Sequence, residues 1–175
     1  MVLSNEEVKQ LLAKALSGNS CSQLKLGDYY KELKNHKIAL NWYKKAVETG
    51  SVDALFEVAE SYIFGNGIDK DRTKAFEYCK KAAQKGHKYA QYELGSFYNY
   101  GIQCKCTINK HKALIWYKKA AENGLIEAYY SLGMFYEEKQ IINEAIKWYF
   151  LPAKENHANA QNRMGMCYKK LADEE

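Results

Sequence analysis

The chain has 175 residues, 47% hydrophobic, 27% charged and 14% aromatic, with one proline, 11 glycines and a formal net charge of +5. That length is enough to bury a core, and that composition belongs to a folded chain, which excludes disorder. The 26 basic residues face 21 acidic ones, and Glu48, Glu57, Glu77, Glu93 and Glu122 are scattered among the lysines, unlike the concentrated basic stripe of a nucleic-acid binder.

The first segment contains Glu6 and Glu7 near its start and no long apolar run, so neither a signal peptide nor a membrane anchor is expected. Ser4 with Glu7 is a capping box, and Val8, Leu11, Leu12 and Ala15 form an apolar stripe. Residues 1–19 are therefore expected to be a capping helix ending near Gly18. From residue 20 two phrases alternate. One reads LKLG at 24–27, FEVA at 56–59, YELG at 92–95, YSLG at 130–133 and NRMG at 162–165. Each is followed three residues later by Tyr30, Tyr62, Tyr98, Tyr136 or Tyr168, on the same helical face as the small residue. The other reads ALNWYKKA from Ala39, AFEYCKKA from Ala75, ALIWYKKA from Ala113 and AIKWYFLP from Ala145, at separations of 36, 38 and 32 residues. Two helix-like phrases per unit of solenoid length predict stacked helical hairpins.

The units fall at about 20–50, 51–86, 87–124 and 125–157, followed by a terminal half-unit, 158–172. In the first, helix A is expected over 22–32 and helix B over 37–48, stopped by Thr49 and Gly50. Gly86 and Gly124 repeat this stop, and His157 takes its place in the fourth unit. Loops of differing length, 64–71, 100–110 and 138–142, account for the varying period. Pro152 is expected to kink or end its helix.

Within helix A, Ala54, Ala90, Ala128 and Ala160 stand five residues before the glycine position and allow close approach. Glycine inside a helix costs about 1 kcal/mol relative to alanine. Its recurrence at Gly95 and Gly133, with Ala59 as its counterpart, therefore predicts a contact too tight for a β-carbon. Leu94 and Leu132 with Tyr98 and Tyr136 complete this packing set. On helix B, Trp42, Trp116 and Trp148 belong to the apolar face, while the paired lysines lay their stems on apolar surface and favour the helix C-terminus.

These phrases together resemble the Sel1-like repeat, a relative of the tetratricopeptide repeat. The third unit carries the pattern most fully, through Ala90, Leu94, Gly95, Tyr98, Gly101, Trp116, Tyr117, Lys119, Ala120, Ala121 and Gly124. The second unit follows it through Ala54, Tyr62, Gly65, Gly67, Asp71, Ala75, Tyr78, Ala82, Ala83 and Gly86. The resemblance covers roughly residues 20–172. It implies an all-α, right-handed solenoid of stacked antiparallel helix pairs that serves as a non-catalytic adaptor or regulatory scaffold for a protein or peptide.

Candidate partner-binding positions are those on helix A outside the packing set: Phe56, Tyr92 and Tyr130 three residues before the glycine position, and Glu60, Ser96 and Met134 one residue after it. Leu24, Asn162, Asp28 and Met166 occupy the same positions in the outer units. Tyrosines lose little side-chain entropy on binding and make good anchors, but Phe56, Tyr92 and Tyr130 could equally be packing residues. The mild positive charge suits an acidic protein segment. Structural self-association is the alternative function. A third is a metal- or redox-responsive role for Cys104 and Cys106, a CxC pair without a second pair or a suitably spaced histidine, and so a weak zinc signal. The five cysteines show no repeat-fixed spacing and read as reduced thiols of a cytoplasmic protein. No metalloprotease helix, phosphate cradle or nucleophile elbow occurs, so neither catalysis nor a cofactor is expected.

Overall fold

The computed structural model describes residues 4–101 and 107–173, and these hold ten α-helices and no strand. Helix α1 (Asn5–Leu16) is followed by the pairs α2 (Ser20–Glu32) with α3 (His36–Glu48), α4 (Val52–Phe64) with α5 (Arg72–Gln84), α6 (Lys88–Tyr100) with α7 (Lys110–Glu122) and α8 (Ile126–Glu138) with α9 (Ile142–Lys154). Helix α10 (Ala158–Asp173) comes last. The chain divides into two compact units, one running to Ala90 and one from Gln91 onward. Cys104 and Cys106 lie outside the described residues.

The eight helices α2 to α9 all have 13 residues. Their ends share one chemistry. Seven connections are three residues long, and the middle residue of each has a positive φ: Gly18, Lys34, Gly50, Gly86, Gly124, Gln140 and Asn156. The third residue then donates its N–H back to the carbonyl five residues earlier, as in Ser51 to Ala46 at 2.8 Å and His157 to Pro152 at 2.9 Å. That is the left-handed closure that satisfies orphan carbonyls at a helix end. Side-chain caps start most of the following helices, from Asn19, Asn35, Ser51, Asp71 and Asn109. In two of them the cap is a histidine: Nδ1 of His87 accepts from Ala90 N–H at 3.1 Å, and Nδ1 of His157 from Ala160 N–H at 3.2 Å.

Four local expectations change. The positive-φ position of the fourth hairpin is Asn156 and not His157, because asparagine, like glycine, tolerates that conformation. His157 is instead the next helix's cap. Pro152 neither ends nor shortens α9, which reaches Lys154 like its siblings. The ring fills a fully buried site in the last turn, where an alanine stands in the other hairpins, so only a terminal hydrogen bond is forgone. Leu12 is 37% exposed and stands outside the α1 stripe, whose buried member is Ala15. Gly165 has open space where a β-carbon would be, so the tight contact is confined to the glycines that face a helix B tyrosine.

At those glycines the contact is severe. A β-carbon on Gly27 would lie 2.2 Å from the Tyr43 ring, on Gly95 2.7 Å from Tyr117 and on Gly133 2.4 Å from Tyr149. In the α4/α5 hairpin the corresponding residues are Ala59 and Cys79, both completely buried. Small opposite large and medium opposite medium fill the same interhelical space. Ala54, Ala90, Ala128, Leu94 and Leu132 are fully buried around these sites. Trp42 is buried, and Trp116 and Trp148 are half-buried.

Candidate functional site

Of the helix A residues that follow the glycine position, Asp28, Glu60 and Ser96 take part in internal bonds, whereas Met134 and Met166 are exposed. In the first unit, the Tyr43 hydroxyl reaches over Gly27 and donates to Asp28 Oδ1 at 2.9 Å. Burial raises the Asp28 carboxyl above its usual range, and the bond from Tyr43 offsets part of that rise. Lys31 Nζ bonds Glu57 at 2.6 Å and Glu60 at 3.4 Å. Burial opposes its charge, but the two carboxylates outweigh burial and hold its pKa above the ordinary lysine value. Glu60 is thus half of an ion pair, on a face that also presents Asp28 and Glu57. Phe56 stacks on His87 at 4.6 Å and on Tyr89 at 6.1 Å.

The second unit is arranged differently. Its helix A residues surround a cleft of about 840 Å³. Tyr92 of α6, Tyr130 and Met134 of α8 and Met166 of α10 all line it. The two tyrosines also pack: Tyr92 lies 5.5 Å from Tyr117, and Tyr130 lies 5.7 Å from Tyr149 and 4.8 Å from His157. Both tyrosines therefore pack within the second unit and also line its cleft. Burial raises the Tyr92 pKa, and its hydroxyl oxygen accepts from Ser131 at 3.4 Å. Ser96 is not a lining residue. It shares a hydrogen bond with the Tyr117 hydroxyl at 3.3 Å and donates to Tyr92 C=O.

Charged side chains rim this cleft in pairs. Lys110 bonds Glu138 across the ends of α7 and α8. Arg163 of α10 bonds Glu137 at 3.1 Å, and Glu137 also accepts from the Tyr149 hydroxyl at 2.7 Å. The Glu137 charge raises the Arg163 pKa further. Lys170 donates to the side-chain oxygen of Gln140. Cys167 lines the floor with its thiol pKa pushed up by burial, the opposite of an activated nucleophile.

Arg163, Lys170 and Glu137 were not singled out from sequence. One signal was present: Arg163 is one of two arginines in a chain otherwise basic through lysine, and arginine marks places where a carboxylate is held. The lysine pairs of helix B also carry more than stems. Lys45 sits 4.4 Å over the Trp42 ring and Lys119 4.5 Å over Trp116, a cation–π geometry. Buried Gln23 and exposed Gln161 were missed as well; their amides donate to Ala15 and Ala153 C=O at 3.0 Å and pin α2 and α10 to the preceding helices. Among the described residues, no three His, Cys, Asp or Glu side chains are grouped to hold a metal ion, and no helix is long and apolar enough to cross a membrane.

Comparison with known proteins places this geometry. The Sel1 repeat model matches residues 22–51, 52–87, 88–125 and 158–172. A Sel1 repeat protein from Oxalobacter formigenes superposes with a TM-score of 0.84 at 32% identity, over 93% of this chain and 70% of that one. A protective antigen of uropathogenic Escherichia coli displaying an SLR fold gives 0.86 at 29% identity, over 94% of this chain and 37% of the other. Among curated proteins, chitin synthase regulatory factor 1 of Schizosaccharomyces pombe is 35% identical over 86 residues, 48% of this chain and 19% of that protein. The match therefore spans about a fifth of that relative's length. The all-helical solenoid class expected from the repeats is the class of these neighbours.

Proposed function

The chain belongs to the Sel1 repeat family, whose members are typically protein-interaction scaffolds, and from that premise we propose that it is a non-catalytic adaptor that holds an extended segment of a protein partner in the cleft of its second unit. One observation carries the reading: Tyr92, Tyr130, Met134 and Met166, from three different helices, open onto a single cleft large enough for several side chains. The cleft carboxylates are already bonded to Lys110, Arg163 and Tyr149. That arrangement supports binding over acid–base chemistry. A regulatory-subunit role would agree with the name of the fission yeast relative.

The test is a photo-crosslinking amino acid placed at Met134, with a second placement at Ile115, an exposed position on α7. In native lysate, a discrete crosslinked partner from position 134 and none from 115 is the expected result. Crosslinks from 115 alone would move the interface to helix B. Self-association is a second reading, favoured by the exposed Tyr168 at 54% on α10. Here sedimentation velocity should show a concentration-dependent dimer that Tyr168→Asp abolishes; a monomer at all concentrations removes this reading.

A further inference from the structure

We propose that the cleft of the second unit selects partner segments in which a carboxylate stands two residues from a large apolar side chain, with Lys170 receiving the acid and Met134 and Met166 the apolar group. This rests on the docking reading above and adds the chemistry of the occupant.

The charge argument comes first. Three cations, Lys110, Arg163 and Lys170, line the cleft against two carboxylates, Glu137 and Glu138. Glu138 is bonded to Lys110, and Glu137 to both Arg163 and the Tyr149 hydroxyl. A basic segment entering here would have to displace one of these partners before gaining one of its own. Lys170 differs, because its bond is to the neutral amide of Gln140, and among the described residues no carboxylate is paired with it. The mean charge of the chain does not produce this preference. In the first unit the equivalent face carries Asp28, Glu57 and Glu60, the last two bonded to Lys31.

The apolar argument is independent of charge. Met134 and Met166 occupy equivalent positions, one residue after Gly133 and Gly165, and are 37% and 55% exposed. Unbranched, polarizable methionine accepts different apolar shapes without a fixed cavity. Spacing joins the two arguments. Met166 and Lys170 are four residues apart on α10, so their β-carbons stand about 5–6 Å apart on one face. An extended peptide rises about 3.3 Å per residue and places alternate side chains on the same side, so two residues cover that separation.

A random dodecapeptide phage library selected on the wild-type chain tests this directly. Selected peptides should be enriched for Asp or Glu two positions from Leu, Ile, Phe or Met. By fluorescence anisotropy, the best synthetic peptide should bind about fivefold more weakly to Lys170→Gln, and Lys170→Arg should restore it. Changing the peptide's acid to its amide should cost wild type the same factor and cost Lys170→Gln nothing. Enriched peptides without an acid, or an acid-to-amide change without effect on wild type, overturn the selectivity and leave the docking cleft standing. If the library gives no enrichment, or the peptide binds Met134→Ala, Met166→Ala as tightly as wild type, the cleft is not the docking surface and both readings fall.

Discussion

Replacing Gly133 by alanine should destabilise the second unit, and the loss should vanish when Tyr149 is replaced by cysteine. The added β-carbon would stand 2.4 Å from two ring atoms of Tyr149. The ring has little freedom to retreat, being fully buried with its hydroxyl held by Glu137 at 2.7 Å. Overpacking of this kind costs about 2–3 kcal/mol, and removing a mid-helix glycine returns about 1 kcal/mol. The single substitution should therefore cost about 1–2 kcal/mol. In a Tyr149→Cys background, itself destabilised by about 3–5 kcal/mol through the cavity it leaves, the same change should stabilise by about 1 kcal/mol. That pair is the one found naturally as Ala59 and Cys79. The coupling is then about 2–3 kcal/mol, well beyond the additivity expected of independent sites. Urea titration followed by Trp148 fluorescence would read it, with Trp42 and Trp116 changed to Phe in all four chains of the cycle. Equal losses in both backgrounds would refute the steric argument. So would a Gly133→Ala chain as stable as wild type.

Three further expectations follow from local chemistry. Asn156 holds φ at +63°; Asn156→Ala should cost about 1 kcal/mol, while Asn156→Gly should leave the melting temperature nearly unchanged or raise it slightly. Burial lowers the His87 pKa, with Asp53 and Glu57 opposing that shift and Lys88 adding to it, and its Nδ1 must stay unprotonated to cap α6. The unfolded chain therefore takes up this proton first, so stability should be full above the ordinary histidine value of 6.5 and fall as pH drops through the lowered folded one; His87→Ser, the residue used at Ser51, should flatten that limb of a melting-temperature profile. In a Cys104→Ser, Cys106→Ser background, a thiol reagent should modify exposed Cys21 in the native protein and reach buried Cys79 and Cys167 only on unfolding. Rapid native reaction at Cys79 would contradict the packing described for α4 and α5.

The helices and their pairing were legible because their signals are local and repeated. A glycine facing a tyrosine, once seen in three hairpins, states a distance. Other features escaped because one residue type can do two jobs. His157 looked like a poor stop and is in fact a cap, because imidazole nitrogen can accept a backbone N–H as a serine or asparagine oxygen does. Pro152 looked like a break, yet in a last turn its missing donor costs little against a buried ring. The candidate strips fall on the first helix of each pair, but alignment of positions could not show that Glu60, Asp28 and Ser96 already have internal partners. Nor could it show that Tyr92 and Arg163 line the same cleft, since 71 positions and three intervening helices separate them in the chain.

The three-residue turns give this molecule something like a reading frame. An additional residue in one of them would advance the next helix by about 100°, carrying its buried alanine toward water and a charged neighbour inward. The seven-residue connection at 65–71 is free of that constraint along most of its length. Its exception is Gly67, where a β-carbon would collide with the backbone of His36 at 2.4 Å. Length can therefore vary at that edge without shifting the phase of the next helix, whereas the short turns admit change only as whole hairpins, in phase.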